Sequence, residues 1–111
     1  MEMSISDAGG VAIIRFEGRL DGQSSPAALQ AFQQLMEQGK TRILANFEQL
    51  SFISSVGLRV LLIVAKEISH RQGEVRVCHA NPLVTSVFEV SGFNTIISML
   101  ETESEALAVW V

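Results

Sequence analysis

Leu50-Ser51-Phe52-Ile53-Ser54-Ser55-Val56-Gly57-Leu58-Arg59-Val60-Leu61-Leu62 is the stretch that decides the fold. An apolar strand pattern, Ile43-Leu44-Ala45-Asn46-Phe47, stops just before it, and a helical pattern begins inside it and runs to about His70. Two adjacent serines and a glycine mark the join. Serine is a favoured helix N-cap because its oxygen accepts a backbone N–H that has no partner in the first turn. Those N–H groups and the helix dipole also make the place receptive to an anion. A serine here is therefore either a plain cap or a hydroxyl that carries a phosphate at a helix N-terminus.

Upstream, Thr41 to Phe47 reads as a strand, apolar apart from Arg42, so central and covered on both faces. Its pattern ends at Phe47 and predicts a loop from there to Ser55. Ser24 or Ser25 caps an earlier helix with Pro26 just inside it. Ala28, Leu29, Phe32, Leu35 and Met36 fall on one face of that helix, and Gly39 ends it. Met3 to Asp7 and Val11 to Glu17 read as a hairpin about Gly9-Gly10. Gly18-Arg19-Leu20-Asp21-Gly22 then breaks the strand pattern.

Downstream, the helix after Ser55 carries Leu58, Leu61, Leu62, Ala65 and Ile68 on one stripe. Val60, Ile63 and Val64 fall off it. A surface helix needs only one apolar stripe, so the extra width means deep burial or a ridge that faces a partner. A strand follows from Glu74 to Cys78. Asn81-Pro82 opens a helix with Val84, Val87, Phe88 and Val90 as its apolar set, and Gly92 stops it. Ile96 to Leu100 reads as a short last strand. Glu101 to Val109 reads as a closing helix, with Glu101, Glu103 and Glu105 complementing the dipole near its start. Alternating strands and helices predict an α/β fold, with a mixed, mostly parallel sheet of about four to five strands and about four helices. Working sites in such sheets lie at the carboxyl ends of strands, beside helix N-termini.

A chain of 111 residues with 48% apolar content is expected to form a single domain, 1–111. Only 18% of residues are charged and mean hydropathy is +0.32, which favours a protein that meets partners. The net charge of −4 gives no general attraction to nucleic acid. No apolar run is long enough to span a membrane, and the N-terminus lacks a secretory pattern, so a cytoplasmic location is expected. The lone Cys78 reads as a buried, inert thiol.

Catalytic sets are poorly represented. His70 and His79 have no neighbours at metal-ligand spacing, apart from Cys78. Ser54-Ser55-Val56-Gly57 is not a nucleophile elbow, and no base is placed to serve it. Gly9-Gly10 lacks the further glycine and lysine of a phosphate loop. The expectation is a protein that is not an enzyme and holds no cofactor. Asp21, Asn46, Ser54 and Ser55 remain. The ordinary role of Asp21 is to cap the helix near Ser24, and that of Asn46 is to bond loop backbone. Side-by-side parallel strands would let both reach the Ser54-Ser55 turn.

These residues resemble a known family. Leu50 to Leu58 is similar to the signature of the anti-sigma factor antagonists, bacterial single-domain STAS proteins. Gly18-Arg19-Leu20-Asp21 resembles the family's early turn, Val87 to Phe93 its late helix end, and Glu105-Ala106-Leu107 its closing helix. The similarity covers essentially the whole chain, in order and spacing. It implies the STAS fold and a partner-switching role. The unphosphorylated protein would bind an anti-sigma factor that is also an ATP-using serine kinase, and so free the sigma factor. Phosphorylation would end binding, and a serine phosphatase would reset the cycle. By resemblance the acceptor is Ser55, with Ser54 the second choice. The family commonly has an aspartate where this chain has Ser54, and a small residue where it has Val56. Asp21 and Asn46 match positions beside the acceptor. With Ser54, Ser55, Gly57, Arg59, Val60 and Ile63 they form the expected partner-binding set, in a monomer or weak dimer. The alternative is a STAS module that binds a small ligand or joins a membrane-transport complex without phosphorylation.

Overall fold

A computed structural model describes residues 1–108 and 110. Among them, five strands form one sheet in the order β1-β2-β3-β4-β5. They are β1 (Glu2–Ala8), β2 (Val11–Leu20), β3 (Arg42–Ile53), β4 (Glu74–Cys78) and β5 (Ser98–Leu100). β1 and β2 make the expected antiparallel hairpin, and the remaining pairs are parallel. Helices α1 (Ser25–Glu37), α2 (Ser55–His70), α3 (Pro82–Ser91) and α4 (Glu103–Ala108) complete the α/β architecture. No helix of the described residues is long and apolar enough to cross a membrane.

Alternation along the strands splits the core in two. Ile14, Phe16, Ile43, Ala45 and Phe47 face α1, α2 and α3, where they meet Phe32, Leu61 and Phe88. Val11, Ile13, Leu44 and Cys78 face the other way and are covered by Ala106 and Trp110. Burial pushes the Cys78 thiol up to about 12, which makes it inert as expected.

β3 does not end at Phe47. It continues to Ile53, and β2 continues beside it through Gly18 to Leu20, so all but the last two residues of the expected loop from Phe47 to Ser55 are strand. The register explains why the sequence conceals this. Arg15 opposes Asn46 but Glu17 opposes Gln49, and Gly18 opposes Leu50 but Arg19 opposes Phe52. β3 therefore carries an extra residue at two bulges, each of which resets its alternation. Phe47, Leu50 and Ile53 are all buried, at a spacing of three rather than two.

Other boundaries move for local reasons. The last strand begins at Ser98, because Phe93–Thr95 forms a 3-10 turn and Ile97 is buried beyond it. α4 begins at Glu103, where Thr102 Oγ1 accepts the Glu105 N–H and the Thr102 carbonyl accepts that of Ala106. Val109, the expected end of that helix, lies outside the described residues. α3 matches its signals: Asn81 Oδ1 accepts the Val84 N–H at 2.8 Å, and Gly92 closes the helix at φ 79°. Its apolar set is uneven, since Val84 and Phe88 are buried while Val90 is 87% exposed. On α2 the buried stripe is Gly57, Leu58, Val60, Leu61, Val64 and Ile68. Leu62 and Ala65 sit at its margin, so Val60 and Val64 belong to the core side and Ile63 to the outside.

Candidate functional site

β2 and β3 end together, and α2 starts from that end. The Ser54 N–H donates to the Leu20 carbonyl at 2.9 Å, which staples the two strand ends. Ser54 is the N-cap of α2, with extended backbone at φ −89° and ψ 173°. Its Oγ accepts the Gly57 N–H at 3.1 Å, and its carbonyl accepts the Leu58 N–H at 2.8 Å. Each of these backbone and side-chain groups of Ser54 is thus engaged in starting the helix. Ser55 is the first residue of the helix and is exposed. Among the described residues its hydroxyl makes no hydrogen bond. The serine pair divides the two roles that the sequence left open, one capping and one presenting a free hydroxyl.

Ser54→Ala removes the cap acceptor and is expected to lower stability by about 1 kcal/mol. Ser55→Ala removes an unbonded exposed hydroxyl and should cost less than about 0.5 kcal/mol. Urea midpoints of the two variants, measured side by side, check the assignment. Equal losses would contradict it.

Asp21 follows Leu20, so the same staple brings it beside the turn. Its Oδ1 accepts the backbone N–H groups of Gln23 and Ser24 at 3.1 and 3.2 Å. The Ser24 N–H, with that of Gln23 and the Ser24 hydroxyl, holds its carboxyl below the ordinary aspartate range, and Arg19 adds to this. The aspartate orders the turn into α1. The expected cap Ser24 bonds no helix N–H with its side chain; its Oγ donates instead to the Arg19 carbonyl at 2.8 Å. Between Gly18, Arg19 and Asp21 lies a wide hollow of about 530 Å³ with a mixed polar and apolar lining.

Asn46 is not brought to the turn. It lies seven positions before Ile53, roughly 20 Å back along β3. It also points to the opposite face, where its Nδ2 donates to Glu103 Oε1 at 2.9 Å. Its Oδ1 accepts the Glu48 N–H at 2.9 Å, at the first bulge. Glu103 is held there by Arg15 as well, at 2.8 Å, and its N–H donates to His79 Nε2 at 3.2 Å. Asn46 anchors α4 to the back of the sheet; the expected bond to nearby backbone is present, and proximity to Ser55 is not.

Gly57 packs its α-carbon on the Leu20 carbonyl and the Ile53 side chain. Arg59 and Ile63 lie outward, and Val60 is only 5% exposed, at the floor of a groove between α1 and α2. That groove, of about 300 Å³, is almost wholly apolar, and Gly22, Ser25, Pro26, Leu29 and Val56 complete its lining. In the sequence, Pro26 and Leu29 read only as parts of the first helix, not as walls of a groove. Val56, half-exposed beside Ser55, stands out in the sequence only as a larger residue than the resemblance leads one to expect.

Comparison with known proteins follows the same lines. The STAS domain family model matches residues 2–106. The chain is 30% identical over 110 residues to the "Putative anti-sigma factor antagonist BtrV" of Bordetella bronchiseptica, covering 99% of this chain and 95% of that protein. It is 32% identical over 99 residues to the anti-sigma F factor antagonist of Paenibacillus polymyxa, covering 88% of this chain and 85% of that one. The anti-sigma factor antagonist SpoIIAA in its unphosphorylated form superposes with a TM-score of 0.82 at 28% identity, covering 96% and 93% of the two chains. The phosphorylated form of the Bacillus protein gives 0.77 at 26% identity, covering 99% and 100%. A sheet in sequential order, a helix launched from a serine turn at the ends of two stapled strands, and these relatives together place the chain in the STAS domain family, among the anti-sigma factor antagonists.

Proposed function

We propose that the protein is a partner-switching antagonist controlled at Ser55. In its unphosphorylated form it binds an anti-sigma factor that is also a serine kinase, and the sigma factor is released. The kinase then transfers the γ-phosphoryl group of its ATP to Ser55 Oγ. A new O–P bond forms, the β–γ phosphoanhydride breaks, ADP leaves, and the hydroxyl proton passes to a base of the kinase. A separate serine phosphatase restores the hydroxyl by hydrolysis.

The observation that carries this reading is the free, exposed hydroxyl of Ser55 at the first position of α2, next to a capping serine. Phosphate there adds about −1.5 to −2 charges. The helix dipole favours them by ~0.3–1 kcal/mol, so the fold has no reason to change. Trapped in an interface without a counter-charge, the same group costs several kcal/mol, enough to turn a tight complex into a weak one. Ser54 serves less well as acceptor, because modifying its oxygen removes the cap of α2.

Peptide mass spectrometry on the protein taken from its own cells tests the proposal. The expected result is one phosphate on the Phe52–Leu58 peptide, assigned to Ser55 and absent from Ser55→Ala. A phosphate on Ser54, or none in any of several growth states, overturns it.

A further inference from the structure

The outer ridge of α2 has an unusual make-up for an acidic chain. Val56, Arg59, Ile63 and Lys66 recur at intervals of three and four, so they share one exposed face. Val56 is 50% exposed and Ile63 is 38% exposed, beside the apolar groove against α1. The other arginines are all engaged. Arg15 pairs with Glu103, Arg19 with Asp21, Arg71 with Glu67 and Arg76 with Glu74. Arg42 donates to the Trp110 carbonyl. Among the described residues, Arg59 and Lys66 have no ion-pair partner. A chain with a net charge of −4 thus leaves two cations unpaired on one ridge, with an apolar side chain between them.

We infer that this ridge and groove receive a helical segment of the protein partner that is both apolar and acidic. The cations stand seven positions apart, about 10 Å along the axis. An amphipathic helix laid in the groove meets both of them when it carries carboxylates about two turns apart beside its apolar stripe. The inference deepens the switching reading and rests on it. Ser55 lies one turn before Arg59, on the same ridge. A phosphate there brings about two negative charges to a surface whose local charge is +2, cancelling the feature that the segment reads. Phosphorylation then acts by removing charge complementarity as well as by bulk.

The test places a photoreactive benzoylphenylalanine at Ile63 of the full chain, in its own cells, with a second at Val90 on α3 as control. The cross-linked peptide is sequenced. We expect a cross-link from position 63 and not from position 90, to a partner segment with Asp or Glu at about seven-residue spacing beside apolar residues. Arg59→Glu with Lys66→Glu should cut the yield about tenfold, and exchanging the partner's carboxylates for lysine should restore it. Trp110 emission and far-ultraviolet circular dichroism establish that the double variant is folded. A cross-link to a second copy of the chain, to a segment without carboxylates, no cross-link at all, or an undiminished yield in the double variant overturns the inference. If Ser55 is phosphorylated and one of those outcomes is seen, the docking inference fails and the switching reading stands. If the charge-dependent cross-link forms equally well in Ser55→Asp, the docking surface stands and the switching reading fails.

Discussion

Gly57→Ala is expected to lower the stability of the protein by about 2–3 kcal/mol, although alanine is the better helix former. The new methyl group would lie 2.5 Å from the Leu20 carbonyl oxygen, 2.9 Å from Leu20 Cγ and 3.1 Å from Ile53 Cγ1. The first of these is backbone and cannot swing away. It is also the acceptor of the Ser54 N–H, so α2 cannot retreat without loosening the staple at its own start. Helix propensity returns only about 1 kcal/mol. Urea denaturation gives the loss directly. An unchanged midpoint would mean that α2 slides freely over the strand ends, and that Ser55 has no fixed position.

Asn46→Leu is expected to cost about 2–3 kcal/mol, with the damage confined to the far side of the sheet. Asn46 is 6% exposed and satisfies two groups at once, the Glu48 N–H at a bulge and the Glu103 carboxylate. An apolar side chain takes the acceptor from the part-buried Glu48 N–H and a donor from the Glu103 carboxylate, losses of about 0.5–1.5 and about 1.5–3 kcal/mol before partial relaxation. α4 should loosen first. Trp110, the only tryptophan of the chain, is packed by the Arg76 guanidinium at 4.2 Å and reports that loosening by its emission. Affinity for the partner should stay within about twofold of wild type, since Asn46 faces away from Ser55. Loss of binding at a temperature where the variant is folded would return Asn46 to the recognition surface.

The sequence and the structure part company where local pattern and register disagree. The helices α1 and α3 were legible because their signals are short-range: Pro26 inside a start, Asn81-Pro82 at another, Gly92 at a stop. β3 was cut short because a bulge turns a spacing of two into a spacing of three, and Phe47, Leu50 and Ile53 then look unconnected. The truncated strand misplaced Asn46, which seemed to end at the serine turn and in fact sits in mid-strand on the other face. Helical spacing alone also could not choose the centre of the α2 stripe. Val60 and Val64 fell on the inner side because α1 packs there, a tertiary fact. The serine pair was visible from the start; which serine caps and which is free depends on one hydrogen bond, from Gly57 to Ser54.

Strand order equal to chain order has a consequence for how the molecule is made. Each strand needs as its neighbour the one synthesised just before it, so a chain leaving the ribosome never has to insert a late strand between two early ones. After the hairpin, each following strand reaches the growing edge through a single crossover that carries a helix. The exposed edge of one moment is the template of the next. α4 follows the sheet, and with it comes the cover over Val11, Ile13 and Leu44 on the back. Until that helix has emerged, the nascent protein shows a bare apolar face on the back of its sheet.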